Sequence, residues 1–120
     1  MVVGHYGCGG VQAVAEKRSA GLADNWLRHI DDIAYKHATW IDSAACDEDR
    51  SARLAELNVI EQVANVGQTT IVRDAWSRGH QLSIHGWIYG LADGLVRDLS
   101  TTVSSSTETA TIYHAALTAL

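Results

Sequence analysis

The chain has 120 residues, enough for one domain, 1–120, and too few for two. Its hydrophobic content of 47% and charged content of 19% are those of a folded globular protein and exclude a disordered segment. The formal net charge is −5, the nine Lys and Arg are scattered, and no apolar run approaches the ~20 residues of a membrane span, so neither nucleic acid nor a membrane is an expected partner.

Val2-Val3 reads as the stub of a buried strand. Gly4, Gly7, Gly9 and Gly10 follow, where the backbone can turn tightly or approach its surroundings closely. Residues 11–20 suit a helix that Gly21 stops. Asp24 can cap a second helix over 25–41, with Trp26, Ile30, Ile33, His37 and Ile41 on one face. The acidic stretch 42–50 reads as a polar connection, and its DEDR run as a solvated loop. A long helix is expected over 51–66, striped by Leu57, Ile60, Val63 and Ala64 and broken by Gly67.

Residues 69–78 mix strand-favouring Thr and Val with helical spacing of Ile71, Val72, Ala75 and Trp76, and Gly79 is a natural stop, which predicts a short helix. Residues 81–89 alternate as a strand: Leu82, Ile84 and Ile88 point one way, and Ser83, His85, Trp87 and Tyr89 the other. Asp93-Gly94 is a turn, so 95–103 returns antiparallel. Ser105 and Glu108 form a capping box that opens a last helix carrying Ile112, Tyr113, Ala116, Leu117 and Leu120.

The chemistry sits in the first ten residues. His5 and Cys8 are three positions apart, between a strand and a helix. Imidazole and thiolate are zinc-type donors, and a thiol at a helix start is favoured as thiolate. The spacing alone leaves two readings open: a pair of metal ligands, or a glycine-rich turn with incidental polar residues. Even on the first reading the pair is short of the three protein ligands a catalytic zinc needs.

Taken with GLADNWLRHIDDI, ELNVIEQV and SIHGWIYGLADGLVRDL, the opening VVGHYGCGGVQA resembles the β-class carbonic anhydrases, in order and across nearly the whole chain. The resemblance implies an α/β fold, a partial mixed β-sheet flanked by helices, corresponding to the C-terminal half of that fold. It implies a zinc ion held by Cys-His-Cys, whose bound water attacks CO2 to give bicarbonate. His5 matches the family's histidine ligand and Cys8 its second cysteine. The family's first cysteine lies upstream in a Cys-x-Asp-x-Arg motif, with the Asp-Arg pair that orders the bound water, and no such motif occurs here. Cys46-Asp47 lies downstream in the acidic stretch and is not a substitute, so no catalytic residue is assigned. Tyr89 matches the tyrosine of a second, inhibitory bicarbonate site whose Trp and Arg would fall in the upstream half.

The remaining candidates read as structural. His29 and His37 are expected to be hydrogen-bonded core residues, His80 and His114 exposed, and His85 structural. Trp26, Trp40, Trp76 and Trp87 are expected in the core or an interface. Cys46 is a bystander, and the cysteine usage and lack of a leader segment predict a reducing, cytoplasmic setting. A sheet lacking its upstream strands exposes an edge and an apolar face. The chain alone is therefore expected to self-associate as a homo-oligomer or to dock onto a separate N-terminal half. Two function classes follow: a carbonic anhydrase weak or inactive as this chain alone, or a non-catalytic assembly or binding module, or an inactive fragment, that keeps the fold.

Overall fold

A computed structural model describes residues 1–120. Three strands form one sheet in the order β1-β2-β3: β1 (Val2–His5), β2 (Gly86–Tyr89) and β3 (Val96–Asp98). β1 and β2 run parallel with Val2 opposite Gly86 and His5 opposite Tyr89, and β3 returns antiparallel with Val96 opposite Tyr89. The α/β class and the mixed sheet are those the sequence implies. Between β1 and β2 lie α1 (Gly9–Ala15), α2 (Asp24–Lys36), α3 (Ala38–Asp42), α4 (Asp47–Gly67) and α5 (Thr70–Ser77), and α6 (Thr109–Ala119) closes the chain. No helix is long and apolar enough to cross a membrane.

α4 is the axis of the molecule, and it alone of the helices lies against the sheet, touching β1 and β2. The approach is close because the sheet places glycines there. A Cβ on Gly4 would stand 2.6 Å from Val59 Cγ2, and one on Gly86 2.9 Å from Val63 Cγ2 and 2.0 Å from Thr101 Oγ1. Leu54, Leu57 and Ile60 of α4 are buried almost completely, as is Ile88 of β2. One core cluster joins α1, α2, α3, α4 and Ile88, and a smaller one gathers Val63, Val72, Ile84 and Val103.

Several boundaries differ from the sequence expectation, each for a local reason. α1 ends at Ala15 rather than near residue 20, because Lys17 takes a left-handed conformation (φ 54°). The Lys17 and Arg18 amides then donate back to the Val14 and Ala13 carbonyls, a Schellman closure, and Gly21 falls in a separate 3-10 turn. The helix expected over 25–41 breaks at His37, whose backbone leaves helical values while its ring reaches across to α4. α4 starts at Asp47, so the DEDR run is its acidic first turn, capped by Cys46, whose Sγ accepts from the Asp49 amide at 3.4 Å. β2 and β3 are shorter than 81–89 and 95–103, although a bridge between Ile84 and Val103 continues their antiparallel course. In place of the Ser105 capping box, Glu108 accepts from the Ser104 amide and the helix starts at Thr109. The expected short helix α5 is present, closed after Gly79 as the sequence predicts.

Candidate metal centre

β1 delivers His5 at its last residue, and Cys8 is the residue that begins α1. Two residues, Tyr6 and Gly7, thus separate the donors across a strand-to-helix junction. His5 Nδ1 lies 3.0 Å from the Tyr6 carbonyl oxygen. A carbonyl only accepts, so Nδ1 carries a proton, and in the neutral ring the lone pair is then on Nε2. This is how a backbone carbonyl fixes the tautomer of a metal-binding imidazole. The Cys8 side chain caps nothing and is half-buried, with Leu27 of α2 packed nearby.

Tyr6 anchors the junction. Its amide donates to the Tyr89 carbonyl at 3.0 Å, extending the parallel ladder, and its hydroxyl donates to Glu56 Oε1 on α4. Burial, reinforced by the Glu56 hydrogen bond and charge, pushes the Tyr6 phenol up to about 12, so it stays a neutral donor at physiological pH. Gly7 then turns with φ 70°. A cleft of 670 Å³ opens beside this turn, bounded by Tyr6, Gln12, Glu48, Leu91 and Arg97, and neither His5 nor Cys8 lines it. Arg97 pairs with Asp93, which holds the Asp93 carboxyl below the usual carboxylate range and braces the β2–β3 turn.

The donor chemistry of His5 and Cys8 fits zinc, but the donor number does not. Nowhere does the chain bring together three His, Cys, Asp or Glu side chains in a geometry able to hold a metal ion. Cys46 caps α4, its Sγ accepting from the Asp49 amide, and belongs to no group of metal ligands. Tyr89 lies beside His5 in sheet register, so the two share a face.

Other sequence expectations sort by environment. His37 is part-buried and donates from Nε2 to Glu61 Oε1 at 3.1 Å. His85 lies 2.9 Å from Thr102 Oγ1 and stacks on Trp87. His80 and His114 are exposed. His29 is not in the core: it is exposed and makes only an edge contact with Trp26, which is itself 80% exposed at the N-terminal end of the face on which Ile33 is buried.

Glu61 is the polar node that the sequence did not reveal. Its Oε1 accepts from Lys36 Nζ (2.6 Å), His37 and Tyr113 (2.5 Å), tying α2 and α6 to α4. Burial alone would raise its pKa, but these three donors outweigh it and hold the carboxyl below its ordinary value. The partners lie 24 to 52 residues away, so no local pattern could have announced them.

The comparisons agree on one family. The family model described as carbonic anhydrase matches residues 1–96. The carbonic anhydrase of Emericella nidulans is 40% identical over 100 residues, covering 83% of this chain and 44% of that protein. The β-carbonic anhydrase of Coccomyxa superposes with a TM-score of 0.82 at 32% identity, covering 92% of this chain and 50% of that one. This chain belongs to the β-class carbonic anhydrase family. A tetrameric β-carbonic anhydrase from Sordaria macrospora also matches, with TM-score 0.77 and 27% identity, over 85% of this chain and 52% of that one. The chain thus spans about half the length of the relatives it matches.

Proposed function

We propose that this chain supplies two of the protein ligands of a zinc centre that reversibly hydrates CO2 to bicarbonate. The observation that carries the reading is the β1–α1 junction. It presents His5, whose Nδ1 is engaged by the Tyr6 carbonyl, and Cys8 three positions later, and the reading takes these two, by their resemblance to the family's motif, as counterparts of its histidine and second cysteine ligands. Zinc bound there would lower the pKa of its water to about 7 and so provide hydroxide at neutral pH.

The chain's own residues prepare that site. The contact of Gly4 with Val59 fixes the depth of β1 on α4. The Tyr6–Glu56 bond fixes the turn that follows His5. The Tyr6 carbonyl holds the imidazole in the tautomer a cation needs. Tyr89, next to His5 on the sheet, is the residue a second bicarbonate would meet by family correspondence.

Two donors bind zinc weakly, since metal affinity follows ligand number and geometry. The chain alone is therefore weak or inactive, and working catalysis belongs to an assembly that brings a third ligand. Zinc content and CO2 hydration measured on one preparation test this. Expected are well under one zinc per chain after desalting and hydration no faster than buffer. One tightly held zinc per chain with rapid hydration would refute the impairment. The second reading, a non-catalytic assembly module, is favoured by the sheet's uncovered face, where Val3 and Val96 stand 52% and 56% exposed. That reading predicts no zinc uptake at all, even in an assembly.

A further inference from the structure

Asp93-Gly94, the turn between β2 and β3, is the one place in the chain where an aspartate is followed by glycine. That pair is chemically labile. The glycine nitrogen, with no side chain to crowd it, can attack the aspartate γ-carbon. An N–Cγ bond forms, the Cγ–OH bond breaks, and the hydroxyl leaves with the amide proton as water, closing a succinimide ring. Water then reopens the ring. Opening at the former backbone carbonyl leaves isoaspartate, whose chain runs through the side-chain carbon and whose free carboxylate was once main chain. Nothing is oxidised or reduced. The step needs a protonated carboxyl, because a carboxylate lacks a leaving group, and a nitrogen free to turn toward it.

The fold withholds both. Arg97 donates to the two Asp93 oxygens, Nη2 to Oδ2 and Nη1 to Oδ1 at 3.5 Å, and the Leu95 amide donates to Oδ1 at 3.0 Å. These donors, Arg97 first, keep the carboxyl ionised at neutral pH. Gly90 makes the seat: a Cβ there would collide with Asp93 Oδ1 and stand 2.7 Å from Arg97 Nη1. The Gly94 nitrogen is engaged as well, its N–H donating to the Gly90 carbonyl at 2.9 Å. Gly94 has φ 71°, so the turn itself calls for glycine and the labile pair comes with it. Stability does not account for the arrangement. The Arg97 and Asp93 side chains are 46% and 39% exposed, and such a pair contributes little to folding.

We propose that Asp93-Gly94 is a latent isoaspartate site, and that Arg97, seated with the Asp93 carboxylate over Gly90, is the residue that keeps it from isomerising. Isomerisation would add a methylene to the main chain between β2 and β3 and carry the carboxylate away from Arg97. It would thereby loosen one wall of the cleft that Arg97 and Tyr6 share. The inference rests on this turn and not on the metal reading, and its test needs no metal.

The chain is incubated at neutral pH and physiological temperature, folded and in guanidinium chloride. Isoaspartate is counted by enzymatic methylation of isoaspartyl carboxyls with a labelled methyl donor and located by tandem mass spectrometry. The folded chain should form isoaspartate at position 93 at least tenfold more slowly than the unfolded one. Arg97→Gln removes the guanidinium, and Gly90→Ala evicts the carboxylate from its seat. Each should speed the reaction in the folded chain at least fivefold, while Arg97→Lys, which keeps the charge, should stay closer to the parent than Arg97→Gln does. Circular dichroism reports whether each variant is folded. The two variants lie on different sides of the turn, so a folding defect in one leaves the other to decide, and the folded-to-unfolded ratio of the parent stands without either. A folded parent that isomerises as fast as the unfolded chain, or a folded Arg97→Gln or Gly90→Ala variant no faster than the parent, would overturn the proposal.

Discussion

The two faces of this sheet are made from the same strands and could hardly differ more. On the α4 face, glycines at positions 4 and 86 let a helix pack closely, and Ile88, opposite Gly4, is wholly buried. On the other face, the same alternation presents Val3, His5, Trp87, Tyr89 and Val96 with no helix above them. Burial on one side fixes where His5 stands. Openness on the other leaves the imidazole exposed, held by the Tyr6 carbonyl and beside Tyr89. Stability and the proposed metal site thus lie on opposite faces.

That contrast can be broken or sharpened in graded steps. The largest loss is expected from Leu57→Ala in α4, 1% exposed, at about 3 kcal/mol in denaturant unfolding, since truncation leaves a cavity in a packed core. Gly86→Ala should cost about 2 kcal/mol, because overpacking forces the Thr101 and Val63 side chains to move. Glu61→Gln tests whether α2 and α6 are held by charge. The depressed carboxyl of Glu61 contributes stability that is complete above the unfolded value of about 4.3 and is lost as pH falls through the lower folded one. The thermal midpoint of the variant should therefore lie below the parent at pH 7, and the gap should close below pH 4. A gap that does not change with pH would remove the electrostatic role. Val96→Thr on the open face should shift stability by no more than about 0.5 kcal/mol. A larger loss would mean that this face is already covered in solution and would erase the contrast.

How much of this was legible in the sequence follows the range of the interactions. The strand-to-helix order around His5 and Cys8, the α5 helix with its Gly79 stop, and the β2–β3 return were readable, because turn residues and periodicity act within a few positions. The start of α4 was not, since a cysteine cap and an acidic first turn mimic a loop in composition. The end of α1 was hidden because Lys17 already takes the left-handed conformation that closes the helix, four residues before Gly21, which is left-handed as well. The break at His37 and the Glu61 node depend on partners at least 24 residues away, which no local pattern encodes. The exposure of Trp26 was misjudged for a related reason. Periodicity shows that a helix has an apolar side but not how far along that side its neighbour reaches.

Whether His5 and Cys8 grip one cation is best read with cobalt(II) as a spectroscopic substitute for zinc. At saturating cobalt the chain should develop a sulfur-to-metal absorption band in the near ultraviolet. Cys8→Ser should abolish that band and His5→Ala should weaken it, while Cys46→Ser, which keeps a good helix cap, should leave it intact. A band that survives Cys8→Ser, or that vanishes with Cys46→Ser, would contradict the assignment of the metal centre.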